Sequence, residues 1–284
     1  MTAYDVLSHR QRHRSVSNFF TENANSWRDR YESETYDAYQ YRKRAEIALS
    51  WLGRPPTPEN SRLLDIGCGA GIQAGRAALQ GWDVTAADLS LGMLELAASN
   101  VRGPKWLAAS AEALPIRPRS IDAVFMLGII MYVADVAATL QYVRELLRPG
   151  GRLIISWSSP RPPLLKWIGD GVSAVPKHLY IGLKRSLGGR IERVADRSGF
   201  YDVYSRYWLP EDFLRLLESS GYRVLEVRGH NFGVFRFIGN PLWPQSIDVR
   251  LTRMLERSTK HGHLNSVSAR ARSYIALATP APVS

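Results

Sequence analysis

A carboxylate followed by three glycines is the segment of this sequence whose residue types best suit ligand binding. Asp65 stands in the apolar run Leu63–Ile66, which is typical of the end of a buried parallel strand. Three glycines follow at alternate positions: Gly67, Gly69 and Gly71. Glycines let the backbone turn tightly and approach a ligand closely, because no Cβ intervenes. Residues 72–79 then predict a helix, so the segment predicts a ligand-binding turn at the edge of an open α/β sheet.

The spacing of these glycines distinguishes between two kinds of nucleotide ligand. A dinucleotide-binding fingerprint, G-x-G-x-x-G, needs its last glycine at the position of Ile72, whereas this chain has G-x-G-x-G. A pyrophosphate binds bare amides at a helix N-terminus, and Asp65 would repel it. A ligand that carries a cationic ammonium or sulfonium group fits this acid better.

A second carboxylate ends the next predicted strand, which covers residues 82–88. Asp88 comes 23 residues after Asp65, and a carboxylate at the end of the second strand can accept hydrogen bonds from ribose hydroxyls. Ser90 is the predicted N-cap of the helix that follows. The two acids therefore predict a ligand with both a ribose and a cationic group.

Several segments resemble those of the class I methyltransferases that depend on S-adenosylmethionine (SAM). Residues 63–71 resemble the SAM loop of that family, residues 88–94 are similar to the segment after its second strand, and residues 147–156 resemble the turn into its fifth strand. The resemblance is strong over about residues 60–160. It implies SAM as the cofactor and a doubly wound α/β fold, with a Rossmann-like sheet of seven mostly parallel strands, N-terminal lid helices and an inserted cap.

The resemblance also implies which residues contact the cofactor. Leu89 would offer an apolar face to adenine, and residues 110–115 resemble the family turn whose first residue bonds the adenine amino group. Ser110 stands where the family has Asp, so it can still accept that hydrogen bond, but without charge. The predicted cofactor-binding residues are Asp65, Gly67, Gly69, Gly71, Asp88, Leu89, Ser110, Ala111, Glu112, Met126 and Tyr31.

The chain before the glycine loop predicts helices rich in aromatic residues. Residues 15–31 resemble the N-terminal helices of small-molecule methyltransferases of the ubiquinone-biosynthesis type, which cover the SAM pocket as a lid. The resemblance implies that Trp27 or Tyr31 lies near the methionine end of the cofactor. Further along, Arg42 and Arg44 could reach a carboxylate of cofactor or substrate, or could belong to a solvated helix face.

The turn after the fourth predicted strand, residues 127–132, is almost wholly apolar. Many relatives in the family carry an acid or a histidine there, so this turn argues against a base at that place and predicts an apolar acceptor pocket. Candidates to orient the acceptor are Tyr132, Tyr204, His230 and Asn231, and each could equally be structural. The catalytic residue is unknown from the sequence. His230 is the candidate base if one is needed, because its ordinary pKa lies near neutrality.

Together these patterns predict a methyltransferase that transfers a methyl group from SAM to a small, rather apolar acceptor. A lipid, a quinone-like ring or a polyketide-type product would fit, with O-methylation favoured over C- or N-methylation. One alternative is a nucleic-acid methyltransferase, although an Asn/Asp-Pro-Pro-aromatic tetrapeptide and a catalytic cysteine are missing after the fourth strand. The other alternative is a SAM-binding protein without catalysis.

The resemblance and the composition divide the chain into four parts. Residues 1–53 are the predicted helical lid, residues 54–157 the SAM-binding α/β core, residues 158–205 the cap insertion, and residues 206–284 the rest of the core with a basic helical insert. The net charge of +11 is uneven, because residues 148–200 carry +7. This basic surplus fits a solvated surface or weak association with an anionic membrane, and the expected partner is a small-molecule acceptor rather than nucleic acid.

The remaining sequence features limit which cellular compartment and which site chemistry fit this chain. Cys68 is the one cysteine, so an internal disulfide is excluded and a reducing compartment fits. The first twenty residues do not match a signal peptide, and no apolar run is long enough to span a bilayer. The predicted location is cytoplasmic, with peripheral membrane contact as the alternative. His261 and His263 have no nearby cysteine or carboxylate cluster, so no metal site is predicted.

Overall fold

The computed structural model describes residues 9–27, 33, 35–160, 206–232, 236–237, 240–241, 245–258 and 271–282. Two site residues predicted from the sequence, Tyr31 and Tyr204, lie outside these residues, as does almost all of the predicted cap. The helices, in chain order, are α1 His9–Glu22, α2 Tyr36–Leu52, α3 Ile72–Leu79, α4 Leu91–Asn100, α5 Val136–Leu146, α6 Pro210–Ser219 and α7 Gln245–Ser258. Two short 3-10 helices span Pro58–Asn60 and Ile130–Tyr132.

Seven of the described strands form one sheet in the order β3-β2-β1-β4-β5-β9-β6. The strands are β1 Arg62–Ile66, β2 Asp83–Asp88, β3 Lys105–Ala108, β4 Ile121–Leu127, β5 Leu147–Ser158, β6 Tyr222–His230, β7 Arg236–Phe237, β8 Asn240–Pro241 and β9 Ser273–Pro280. Strands β1 to β5 pair in parallel, and β9 is antiparallel to both β5 and β6. The predicted seven-stranded, mostly parallel α/β sheet is therefore confirmed.

The strand order reverses between β1 and β4, which lie side by side at the centre of the sheet. From β1 the chain first builds outward through β2 and β3, and then crosses back to β4. Such a reversal leaves a crevice at the carboxyl ends of the two central strands. This crevice is where Asp65, the glycine turn and the segment after β4 meet.

Apolar side chains on the two faces of the sheet form two separate clusters. In β4, Val124 and Met126 belong to one cluster and Phe125 to the other, as the alternation of side chains along a strand requires. Helix α2 packs on the second face, where Ala48 and Leu52 are buried. A central strand covered on both faces explains why residues 123–127 of β4 are an uninterrupted apolar run rather than an alternating one.

The predicted helix boundaries follow from local capping. Helix α3 begins at Ile72, directly after Gly71, which has a left-handed φ of 73°. Ser90 is the N-cap of α4, as predicted, and its hydroxyl accepts a hydrogen bond of 3.2 Å from the amide of Met93. Within the described part of the chain, none of the helices combines the length and the apolar character needed to cross a membrane.

The sixth strand is longer than the sequence predicts. The pattern indicates a strand over residues 223–227, with His230 and Asn231 beyond its end, whereas β6 runs from Tyr222 to His230. The extension exists because β9 continues to pair with it as far as Ser273, opposite His230. His230 is thus a strand residue, and Asn231 is the first residue beyond, with a left-handed φ of 63°.

Candidate active site

The glycine turn after β1 has the backbone conformation that its sequence predicts. Gly67, Gly69 and Gly71 all have positive φ angles, between 53° and 73°. The amide of Gly67 donates to the carbonyl of Ala87 at 2.7 Å, which ties the turn to the end of β2. A Cβ on Gly67 would collide with Ile129, whereas a Cβ on Gly69 would meet nothing within 4 Å. The turn therefore packs against Ile129 at Gly67 and has open space beside it at Gly69.

Asp65 lies at the bottom of the crevice with only 2% of its surface exposed. Its Oδ2 atom has no hydrogen-bond partner among the described residues. Burial, with a smaller contribution from the charge of Asp88, raises the pKa of Asp65 to about 7, and Arg44 opposes this shift. A buried carboxylate oxygen without a partner is costly, so this atom suits a cationic group of a ligand.

Asp88 ends β2 beside the glycine turn and holds two backbone amides. Its Oδ2 accepts a hydrogen bond of 2.8 Å from Gly69, and its Oδ1 accepts one of 2.8 Å from Ser90. Burial raises the pKa of Asp88, and these hydrogen bonds oppose the shift. The carboxylate thus lies at the predicted ribose position, where it also fixes the turn.

The predicted adenine turn lies close to helix α1. Ser110 accepts a hydrogen bond of 3.2 Å from the amide of Glu112, and Ala111 between them is partly buried. Glu112 accepts a bond of 2.8 Å from the amide of Ala134 through one oxygen. Its other oxygen lies 2.6 Å from Nε2 of His13 in α1. Glu112 therefore connects the adenine turn, the start of α5 and the predicted lid.

Two further side chains of α1 bind the segment after Asp88. Ser17 donates to the carbonyl of Leu89 at 3.1 Å, and the hydroxyls of Thr21 and Ser90 lie 2.9 Å apart. Together with His13, these residues hold α1 along the side of the crevice where the adenosine is predicted to bind. The role of α1 as a lid remains a prediction.

Loss of the His13 side chain is expected to speed the release of bound cofactor. His13→Ala removes the contact between α1 and Glu112, which is worth about 0.5–1.5 kcal/mol, so the dissociation rate should rise roughly two- to tenfold. Stopped-flow fluorescence with S-adenosylhomocysteine would measure it. The matched control is Asn18→Ala, an exposed residue of the same helix. Equal rates in His13→Ala and the wild type would contradict a lid held by this contact.

Arg44 on α2 is a cationic group near Asp65, and the sequence alone does not distinguish its role from that of Arg42. Its guanidinium group lies against Gly128, where a Cβ would collide with it, and 5.5 Å from the ring centre of Tyr41. Arg42 instead donates to the carbonyl of Ser33 at 2.8 Å. Helical spacing alone gives both arginines a chance to reach the crevice, and the structure assigns Arg44 to it. Arg44 suits the carboxylate of a ligand.

Aromatic rings from α1, from the residues just after it, from α2 and from the segment after β4 form one cluster. The ring centre of Phe20 lies 5.3 Å from that of Tyr132 and 5.6 Å from that of Trp27. Trp27 in turn lies 5.7 Å from Tyr41, the residue beneath Arg44. We call these four residues the aromatic wall. It joins Tyr132 to Trp27 through Phe20, and the contact of either residue with an acceptor stays a prediction.

His230 and Asn231 belong to a buried polar network between β6, α2 and α7. His230 is 3% exposed, and its Nδ1 lies 3.4 Å from Oε1 of Gln40. Burial, Arg44 and Lys43 lower the pKa of His230 to about 3. The imidazole is therefore neutral at pH 7, and an imidazolium is disfavoured there. This environment argues against His230 as a base that must carry a proton.

The remaining predicted residues are structural in their described contacts. Asn231 donates to the hydroxyl of Ser273 at 3.2 Å. Met126 is fully buried within an apolar cluster, so only its backbone could contact a ligand. Across the described ranges, no group of three or more His, Cys, Asp or Glu side chains is placed to hold a metal.

Comparison with known proteins agrees with this geometry. Residues 64–155 match the sequence model of a methyltransferase domain family. The matched segment is about a third of the chain and contains the glycine turn and both acids, so the core resembles a class I SAM-dependent methyltransferase domain. Its glycine turn, its two acids and Arg44 fit the cofactor of that class, SAM, because they offer partners to a cation, a ribose and a carboxylate.

Curated relatives of the methyltransferase domain match part of the chain. The biotin biosynthesis bifunctional protein of Cellvibrio japonicus is 35% identical over 127 residues, which is 44% of this chain and 25% of that protein. The ubiquinone biosynthesis O-methyltransferase of Xylella fastidiosa (strain 9a5c) is 27% identical over 160 residues, 55% of this chain and 63% of that protein. The chain thus spans between a quarter and two thirds of the length of these relatives.

Solved structures share the fold of the methyltransferase domain. A SAM-dependent methyltransferase from Thermotoga maritima aligns with a TM-score of 0.59 at 18% identity, covering 93% of this chain and 99% of that one. The 1,6-didemethyltoxoflavin-N1-methyltransferase of Burkholderia thailandensis aligns with a TM-score of 0.58 at 15% identity, covering 98% and 92%. At these identities the likeness shows the fold alone.

Proposed function

We propose that this protein is a SAM-dependent methyltransferase that methylates a small, rather apolar acceptor, most readily at an oxygen atom. The aromatic wall carries the proposal, because its Tyr41 lies under Arg44, which acts on Asp65, and the methionine end of SAM is proposed to bind at these two charges. Apolar walls with a few fixed polar groups are the usual design of a small-ligand site.

Each charged residue of the crevice has a distinct task in this proposal. SAM supplies an electrophilic methyl group on a cationic sulfonium. Asp65 offsets the positive charge of the bound cofactor, Arg44 binds its carboxylate, and Asp88 accepts hydrogen bonds from its ribose. The aromatic wall excludes water and holds the acceptor in line with the methyl group, so that orientation supplies most of the catalysis.

Two relatives named as O-methyltransferases support an oxygen acceptor, and one solved structure with a bound substrate supports a small one. One is named a ubiquinone biosynthesis O-methyltransferase, and another, from Serratia marcescens, is a malonyl-[acyl-carrier protein] O-methyltransferase that is 30% identical over 147 residues. The toxoflavin-type structure holds a small heterocyclic substrate together with S-adenosylhomocysteine. We extend from them only the size of the acceptor and the preference for oxygen.

The acceptor is proposed to bind between the turn at residues 127–132 and the cap at residues 158–205. Residues 161–205, including Tyr204, lie outside the described residues. The basic charge of the cap suits an acceptor with an anionic or polar end. A lipid-like acceptor, with weak association of the cap with anionic membrane, belongs to the same proposal, and flotation of the protein with anionic vesicles at low and high salt tests it.

Transfer of a labelled methyl group to a panel of acceptors tests the proposed function. The panel contains alkyl phenols, catechols, fatty acids, alkyl amines, transfer RNA and duplex DNA. We expect label in the phenols or catechols and none in the nucleic acids, and no transfer with Asp65→Asn. Binding of SAM without transfer to any member would favour the non-catalytic alternative, and label in nucleic acid would favour the other one.

A further inference from the structure

Three buried polar atoms near the carboxyl ends of β5 and β6 lack hydrogen-bond partners in the described structure. They are Nε2 of Gln40, Nε2 of His230 and Oγ of Ser156. The three residues are 6%, 3% and 2% exposed. Buried polar groups in folded proteins are nearly always paired, so a group of unpaired ones calls for an explanation.

The sheet register brings these atoms to one face. His230 pairs with Ser273, and Ser273 also pairs with Ser158 across β9. Side chains of paired residues, and of residues two apart along a strand, project to the same face. Ser156 therefore shares a face with His230. Ile275, which pairs with Ser156, packs in the same apolar cluster as α2, so this is the face that α2, with Gln40, covers.

The contact between Gln40 and His230 fixes what the pair can bind. If Oε1 of Gln40 accepts a hydrogen bond from Nδ1 of His230, then Nε2 of His230 is left as an acceptor and the Gln40 amide as a donor. If the amide is turned round, Gln40 donates to Nδ1, and the free atoms are a donor on His230 and an acceptor on Gln40. Both assignments leave one donor and one acceptor. A hydroxyl group matches this arrangement, since it donates one hydrogen bond and accepts others.

Burial and then the surrounding charges lower the pKa of His230 and keep its imidazole neutral. Arg44 and Lys43, both on α2, are the charged groups that act on His230, and they oppose a positive charge on its ring. Arg44 also lies against Gly128 and acts on Asp65. The pair thus lies next to the region of the crevice that the methionine end of SAM would occupy.

We propose that Gln40 and His230 together bind the hydroxyl group of the acceptor, on the same face of the sheet as Ser156. The inference rests on the proposed function and names the group that the acceptor must carry. Gln40 and His230 are positioning residues in this scheme. They orient the hydroxyl oxygen, and the nitrogen and oxygen atoms that lack partners gain them when the acceptor binds.

Binding of paired phenols and ethers to the complex with S-adenosylhomocysteine tests the inference without turnover. The probes are phenols with para-alkyl chains of one to eight carbons and the methyl ether of each, measured by calorimetry. We expect at least one phenol to bind about ten times more tightly than its ether. The preference should fall to about twofold or less in Gln40→Leu and in His230→Phe, with affinity for S-adenosylhomocysteine unchanged within about twofold.

A control variant, together with distinct outcomes, separates failure of this inference from failure of the proposed function. Ser220→Ala removes another buried hydroxyl without a described partner, at the opposite end of β6, and should leave the preference intact. If S-adenosylhomocysteine does not bind at all, the proposed function fails. If it binds but no phenol is preferred over its ether in the wild type, or if the preference survives both substitutions, the inference about Gln40 and His230 is overturned.

A measurement on the unmutated protein covers the case in which a variant does not fold. The imidazole of His230 should be the one that stays neutral from pH 5 to pH 8 in nitrogen-15 spectra. Addition of the preferred phenol should shift its ring nitrogen resonances, and addition of the ether should not. An unchanged spectrum at saturating phenol would overturn the inference.

Discussion

Asp65→Asn is expected to weaken cofactor binding at least about 30-fold and, at the same time, to stabilise the ligand-free protein at pH 8. Asp65 is almost fully buried, and its pKa is raised to about 7. Above that pH the folded protein holds an ionised carboxylate with an unpartnered oxygen. Asparagine keeps the shape and cannot ionise, so this cost is removed. The shift of about three pKa units corresponds to roughly 4 kcal/mol as an upper bound.

The sign of the pH dependence follows from the direction of the shift. The folded pKa lies above the unfolded one, near 4, so between these values the folded protein binds more protons than the unfolded chain. Wild-type stability therefore falls as the pH rises from about 4 to 7. The excess melting temperature of Asp65→Asn should grow over the same window and level off above it. Thermal unfolding at pH 4, 6 and 8 without ligand measures this trend.

Asp122→Asn provides the matched control for stability. Asp122 lies 2.9 Å from a guanidinium nitrogen of Arg148 and accepts a hydrogen bond of 2.9 Å from the amide of Arg62. Removal of that charge should lower the melting temperature and spare cofactor affinity. Calorimetry should show SAM binding at least about 30-fold more weakly to Asp65→Asn, since loss of one partner of a buried charge pair costs 2 kcal/mol or more. Unchanged affinity would remove Asp65 from the cofactor site.

The glycine turn and the N-cap Ser90 could be predicted from the sequence, because each depends on residues that are close together in the chain. The order of strand, acid, glycines and helix specified the turn around Gly69, because positive φ angles and an exposed backbone leave little choice of residue there. Ser90 as an N-cap is equally local. The fold class followed because several such segments, in a fixed order along the chain, resemble one family.

Contacts between distant segments account for what the sequence could not predict. Arg42 and Arg44 are two residues apart, and only the packing of α2 against β4 assigns Arg44 to the crevice. The ordinary pKa of His230 suggested a base. In the structure, burial within β6 and the two cations of α2 lower this pKa, so the ring is neutral. Glu112 was predicted only as a cofactor-binding residue, whereas its carboxylate lies 2.6 Å from His13, almost a hundred residues away.

Substitution of Asp88 is expected to have the second large effect, on the affinity for the cofactor product. Asp88→Ala should weaken binding of S-adenosylhomocysteine roughly 10- to 150-fold, since a hydrogen bond to a charged group is worth about 1.5–3 kcal/mol. The carboxylate has two tasks, however, because in the ligand-free protein it already accepts hydrogen bonds from the amides of Gly69 and Ser90. A loss of affinity alone could therefore come from a displaced glycine turn.

A ligand without the relevant hydroxyls separates the two tasks of Asp88. Wild-type protein should bind S-adenosylhomocysteine more tightly than its 2′,3′-dideoxy analogue, because only the former can donate to the carboxylate. If Asp88 contacts the ribose, Asp88→Ala should bind both ligands almost equally. Asp88→Asn, which keeps one acceptor oxygen, should be intermediate. A variant that loses affinity for both ligands by the same factor would show that Asp88 acts by holding the turn, and the ribose would then need another partner.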